Sequence, residues 1–370
     1  MPASLRSRLT DWTTLVPVLA IVMLVATWGR DLAGPLIVLV AALLAGAVLA
    51  AVHHAEVVAH KVGEPLGSLL LAVAVTVIEV GLIVTLMISG GDKTQALARD
   101  TVFAAVMITV NGILGLSLLL GALRHRVAVF NPEGTGGALA TVATLATLSL
   151  VVPTFTTSRP GPEFSPPQLA FAAVASLALY GLFVMVQTGR HRDYFLPVTQ
   201  EGSILAEDAD GDGHADPPST RTALASLALL VVALVAVVGD AKTISPAIES
   251  GVSAANLPQA VVGVVIALLV LLPETLAAAR AARRGRVQIS LNLALGSAMA
   301  SIGLTIPAIA LASIWLDGPL LLGLGGTQLT LLALTAVTGV LTVVPGRATV
   351  LQAGVHLSLL AAFIFLAASP

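Results

Sequence analysis

The chain contains no cysteine, which excludes disulfides and thiolate metal sites. Charge is scarce too: Asp, Glu, Lys and Arg make up 10% of 370 residues, where a soluble domain carries about 25%, so most of the surface faces lipid. The net charge of -2 carries no information about partners, because in such a chain the placement of charge matters and the sum does not. Nothing points to nucleic acid. Neither HExxH nor GxSxG occurs, and no pair of aspartates lies in the apolar runs, so an intramembrane hydrolase has no constellation to work with.

What is present is apolar sequence, 57% of residues, with a mean hydropathy of +0.98. Runs of about 20 apolar residues bounded by charged, Pro-rich or Gly-rich breaks predict an all-α polytopic membrane protein. Eleven spans are expected, near 12-29, 33-52, 63-89, 101-123, 135-157, 168-187, 222-239, 257-279, 287-313, 320-344 and 348-368. The first is too long in its apolar part, and too poor in small residues after it, for a cleavable signal. With the amino terminus inside, 13 of the 18 Lys and Arg fall on the cytoplasmic side and 5 outside. An inner-membrane protein with its N-terminus in and its C-terminus out is therefore expected.

The longest polar segment, 188-221, is an acidic linker expected in the cytoplasm. It divides the chain into an extra N-terminal span (1-32), a five-span unit (33-187) and a second five-span unit (222-370). An odd number of spans per unit inserts the second upside down relative to the first, as in inverted-repeat transporters.

Of 20 carboxylates, Glu79 and Glu274 are the two expected well inside apolar stretches, at matching places in the two units. A lone acid in a bilayer costs roughly 2.5 to 3.5 kcal/mol on insertion scales, so the pair reads as a cation and proton site. The competing reading, a protonated acid bonding a neighbouring helix, does not account for the matching positions. Each acid-bearing helix is followed by one rich in small and polar residues, where Asn111 and Ser301 are counterparts. Ser290, Ser297, Ser301 and Thr305 share one helical face, and Thr76 lies on the face of Glu79. Pro273 removes a backbone donor and frees a carbonyl near Leu269, a candidate cation ligand. Desolvation favours the neutral acid and a bound cation favours the charged one, so protons and cations compete for the same oxygens.

The segments GEPLGSLLLAVAVTVIEV and ARDTVFAAVMITVNG, with PQAVVGVVIALLVLLPE and SLNLALGSAMASIGLTIP, resemble the calcium/proton antiporters of the ChaA type in the calcium/cation antiporter superfamily. The likeness covers most of 60-315. It implies a sodium/calcium exchanger-like fold and exchange of Ca2+ for H+ by alternating access. Ion-binding roles then fall on Glu79 and Glu274, with Asn111, Ser301, Thr76 and Ser297 as secondary positions and no resident cofactor. The chain departs from the wider superfamily just before each acid, where only Thr76 precedes the first and Leu271 and Leu272 precede the second. Calcium takes six to eight oxygens, so Na+ and K+ remain alternative substrates.

Three further features carry competing readings. Asp208, Asp210 and Asp212, with Asp216, reproduce early positions of a calcium loop, yet Ser219 stands where the bidentate Glu belongs. The bland reading is a flexible acidic linker, and a regulatory Ca2+ site is the alternative. His53, His54 and His60 with Glu56 read as ordinary interfacial residues or as a proton relay. His356 is expected to bond a neighbouring helix, and Arg280, Arg283, Arg284 and Arg286 to anchor the chain at lipid head groups.

Overall fold

Helix starts are written in the sequence as a polar cap followed by proline, which lacks the N–H that the first turn leaves unsatisfied. Asn131 precedes Pro132, and its Oδ1 accepts from the backbone N–H of Glu133 and Gly134 at 2.9 and 3.3 Å. Ser165 precedes Pro166 and shares a capping box with Gln168. The computed structural model describes residues 11–30, 32–63, 66–90, 94–199, 203, 218–315 and 318–370.

The helices are α1 (Trp12–Thr27), α2 (Gly34–Val62), α3 (Leu66–Gly90), α4 (Leu97–Met107), α5 (Leu114–His125), α6 (Pro132–Ala146) and α7 (Val152–Phe155). They continue as α8 (Pro166–Met185), α9 (Thr220–Ala254), α10 (Ala260–Val270), α11 (Leu272–Arg283), α12 (Val287–Ala312), α13 (Gly326–Val343) and α14 (Val350–Ala368). Wider π turns join α4 to α5 (Ile108–Ile113) and α6 to α7 (Thr147–Val151). A two-residue antiparallel ribbon pairs Ala128 with Ala348 and Val129 with Arg347.

Among the described residues nine helices are long and apolar enough to cross a membrane. The α10–α11 pair, bent by 52°, makes a tenth span, and α1 is a shorter apolar helix at the N-terminal end. These fall at the eleven expected places, with three corrections, the first being that the second span, expected to end at 52, runs on as helix to Val62. The seventh helix does not stop at residue 239 but runs on to Ala254, and Asp240, just past the expected end of the span, is packed inside the helix bundle. The tenth starts at Gly326, since 321–324 is extended: Gly323 N–H donates to Pro162 O and Leu324 N–H to Leu150 O, both at 2.9 Å. A Cβ on Gly323 would meet Thr154 at 2.6 Å, which is why glycine stands there.

The chain forms two compact units, and each draws helices from both halves of the sequence. One comprises Met1–Thr94 with His214–Leu257, the other Gln95–Gly213 with Pro258–Pro370. In the first unit α9 packs on α1, α2 and α3. The return from α2 into α3 is tight: Gly63 has φ +78°, and a Cβ on Gly67 would sit 2.5 Å from the Ala59 carbonyl oxygen. In the second unit the α4–α5 span is the centre, with 89% of its apolar stretch buried, while α14 at 17% lies at the lipid face.

Candidate cation site

Helix α3 carries Thr76 and Glu79 without interruption between Leu66 and Gly90. Glu79 is 2% exposed, flanked in the buried face by Ile78, Leu82 and Ile83. The Thr76 hydroxyl donates to Ala72 O at 2.8 Å, leaving its lone pairs as acceptors toward the same face as Glu79. Gly81 lies against Val238 of α9, where a Cβ would come within 2.7 Å. The absence of a side chain at Gly81 is what lets α9 approach the acid-bearing helix so closely.

In the other unit Glu274 lies just past a break in its helix. Leu271 separates α10 from α11, and Pro273 in the first turn of α11 cannot donate to the carbonyl of Leu269. The Thr275 hydroxyl donates to Leu271 O at 2.7 Å, holding the bend. Glu274 is half-buried, and it sits in the first turn of α11, where the helix dipole favours a negative charge. The first acid helix has no such break, so the two acids share a place in sequence but not a local backbone.

Helix α12 follows with Ser290, Ser301 and Thr305 buried and Ser297 half-buried. Ser290 donates to Ala278 O at 2.7 Å and meets Ser117 at 2.5 Å, tying α12 to α11 and α5. Thr305 is fully buried, and its hydroxyl has no hydrogen-bond partner among the described residues. Gln288 accepts from Asn131 N–H at 2.6 Å and donates to Asn292 Oδ1 at 2.8 Å, and Asn292 donates to Phe195 O at 2.6 Å.

Asn111 stands in the π turn, where Leu114 N–H reaches back to Thr109 O. Its amide nitrogen donates to Thr335 Oγ1 at 2.8 Å, and its oxygen lies 3.1 Å from His356 Nδ1. His356 Nε2 lies 3.1 Å from Thr342 Oγ1. The expected role of His356 as an interhelical bond is therefore what the structure contains, and its partner is Asn111, one of the candidate site residues.

The other sequence candidates separate. His54 Nε2 lies 2.9 Å from Thr13 O and joins α2 to α1. No group of three His, Asp or Glu among the described residues could hold a metal, and that covers His53, His54, His60 and Glu56. Asp208, Asp210, Asp212 and Asp216 lie outside the described residues. Sequence reasoning missed three buried acids: Asp100 pairs with Arg99 at 2.8 Å and Glu163 with Arg159 at 3.6 Å, and the third is Asp240. Asp240 is 0% exposed and lies inside α9, where its place at the expected end of a span concealed it.

The sodium/calcium exchanger protein family matches residues 33–189 and 225–368, most of the chain. The chain belongs to this family. The sodium-potassium/proton antiporter ChaA of Escherichia coli is 33% identical over 365 residues, covering 98% of this chain and 97% of that protein. A candidate ionic transporter of Sinorhizobium fredii is 47% identical over 366 residues, covering 97% and 96%. Among solved structures, native YfkE matches with a TM-score of 0.69 at 15% identity, covering 97% of this chain and 99% of its own. The H+/Ca2+ exchanger CAX matches at 0.65 and 16%, covering 96% and 91%. The fold is thus that of the exchanger family. This member is an integral membrane cation antiporter and not an enzyme, in keeping with its relatives.

Proposed function

We propose that this exchanger carries a cation one way and protons the other by alternating access, with Glu79 and Glu274 as the acids for which they compete. The observation that carries the reading is Glu79, an acid 2% exposed in an unbroken apolar helix. Holding a carboxylate ionised at such a depth in a bilayer costs roughly 2.5 to 3.5 kcal/mol, which a bound proton or cation offsets. Glu274 supports the reading from the other unit, beside a carbonyl that Pro273 leaves without its helical donor.

Calcium is the cation proposed first. A second reading, Na+ or K+, is favoured by Asn111. Its amide is committed to Thr335 and His356, which removes an oxygen from the six to eight that Ca2+ takes. The Escherichia coli relative, named a sodium-potassium/proton antiporter, points the same way. The distribution of Lys and Arg supports placing the N-terminus on the cytoplasmic side of the inner membrane.

The test is the purified protein in acid-loaded vesicles with a trapped pH dye, given Ca2+, Na+ and K+ separately. Lumenal alkalinisation by Ca2+ that Glu79→Gln and Glu274→Gln both abolish supports calcium/proton exchange at these acids. A response to Na+ or K+ alone moves the assignment to the second reading. Undiminished exchange in both variants overturns the site.

A further inference from the structure

Asp240 is the one acid among the described residues that is fully buried with neither carboxylate oxygen hydrogen-bonded. It lies in a stripe of α9 that also buries Ala233, Ala236, Val237 and Ile244, facing the helices of its own unit. Its depth can be fixed from neighbouring contacts. Gly239 lies against Leu24 of α1, and the Lys242 ammonium sits 5.3 Å from the Trp28 ring, so α9 and α1 run the same way. Helix α1 runs opposite to α2, because Thr13 meets His54 while Val16 meets Gly46. The tight return from α2 reverses direction again, so α3 runs parallel to α9.

Gly81 is level with Val238. Glu79 lies two residues before that level and Asp240 two residues after it, an axial offset of about 6 Å, or one helical turn. Asp240 therefore stands between the level of Glu79 and the membrane face marked by Trp28 and Lys242.

The surroundings decide what a carboxylate can do there. Helix α1 supplies no charged or titratable side chain, and α2 supplies none before His53. On α3 the acid at a comparable depth is Glu79, and on α9 itself the nearest charge is Lys242, held over Trp28. Neighbouring hydroxyls are committed to their own helices: Thr27 donates to Met23 O at 2.8 Å and Thr243 to Gly239 O at 2.9 Å. A stripe of Ala, Val and Ile offers nothing like the oxygen shell of a dehydrated Ca2+. An acid buried without a hydrogen-bond donor is stable there only when neutral.

We propose that Asp240 is a further proton-carrying carboxylate, the station between Glu79 and water at the Trp28 face. This rests on the reading of Glu79 as the exchange site. A proton leaves hydronium at that face, forms an O–H bond on Asp240 and is then released through water to a Glu79 oxygen. Only O–H bonds form and break, and Asp240 is left ready to accept the next proton from water.

The test separates proton coupling from cation passage. Proteoliposomes of wild type, Asp240→Asn, Asp240→Glu and Glu79→Gln are assayed for cation-driven lumenal pH change. They are then assayed for isotopic exchange of the same cation across a membrane without a pH gradient. Asp240→Asn is expected to slow the pH change about 100-fold, the scale of a lost positioned proton carrier, with isotopic exchange kept and Asp240→Glu restoring coupling. Wild-type behaviour of Asp240→Asn in both assays, or an equal fall in both, overturns the proposal. If Glu79→Gln matches wild type in both, it is the exchange-site reading that fails, and the two failures are distinguishable.

Infrared spectroscopy supplies a readout independent of transport. A protonated-acid carbonyl band should vanish in Asp240→Asn and survive in Glu79→Gln, and an unchanged Asp240→Asn spectrum refutes it. Should Asp240→Asn not assemble, Asp240→Glu takes its place, and a band that fails to move on that change counts against the proposal.

Discussion

Asn111 and His356, 245 residues apart in the chain, meet in the interior with amide oxygen and Nδ1 at 3.1 Å. With the amide nitrogen of Asn111 donating to Thr335 Oγ1, its oxygen faces the ring, and this network assigns the proton of the bond to His356 Nδ1. Both residues are 0% exposed, and the bond ties α14 to the π turn in the central span. Its replacement therefore acts first on stability. Asn111→Ala leaves His356 Nδ1 and Thr335 with lost partners, and the expected cost is about 1–3 kcal/mol. Thermal unfolding in detergent reads this as a clear fall in midpoint, matched by His356→Ala and not exceeded in the double variant. Additive losses in the double variant would show that the two do not act as a pair.

Glu79→Gln should separate function from folding. Glutamine keeps the shape of the buried acid and removes its ionisation, so the helix loses a group that is costly in an apolar interior. Exchange in vesicles is expected to disappear for every cation while the thermal midpoint stays level or rises. A large fall in midpoint would assign Glu79 to the packing of α3.

The spans were legible because the physics behind them is local: about 20 apolar residues cross a bilayer whatever surrounds them. Glu79 and Glu274 stood out for the same reason. Asp240 did not, because it stands with Lys242 at the end of the apolar run, where a charged residue is ordinary. Only packing reveals that α9 continues to Ala254, with Lys242 turned onto Trp28. The commitment of Asn111 was hidden in a different way, since neither the π turn nor a partner 245 residues away leaves a periodic trace. The break at Leu271 was half legible: Pro273 announced the missing donor, but not the 52° bend.

Pro273→Ala tests what that bend is for. Alanine restores a donor for the Leu269 carbonyl and favours a continuous helix by about 3 kcal/mol in propensity. If the bend and the carbonyl left without a helical donor serve the cation, the variant keeps or gains thermal stability while its initial exchange rate falls. A wild-type rate in a well-folded variant would leave the bend without a transport role.

Two glycines give opposite expectations from one substitution. Helices α10 and α4 cross at Gly263, where a Cβ would lie 2.9 Å from both the Asp100 carbonyl carbon and the Thr101 nitrogen, backbone atoms that cannot turn away. Gly263→Ala must part the two helices and is expected to cost about 1–3 kcal/mol, the range of overpacked cores. Gly296 in α12 has nothing within 4 Å of the same position. Gly296→Ala should raise stability by up to about 1 kcal/mol, because alanine loses less backbone freedom in a helix. Thermal midpoints of the two variants in the same detergent should move in opposite directions. A common fall would mean that α12 needs the space at Gly296 for movement or for a neighbour, and a common rise would mean that the α10–α4 crossing is looser than 2.9 Å implies.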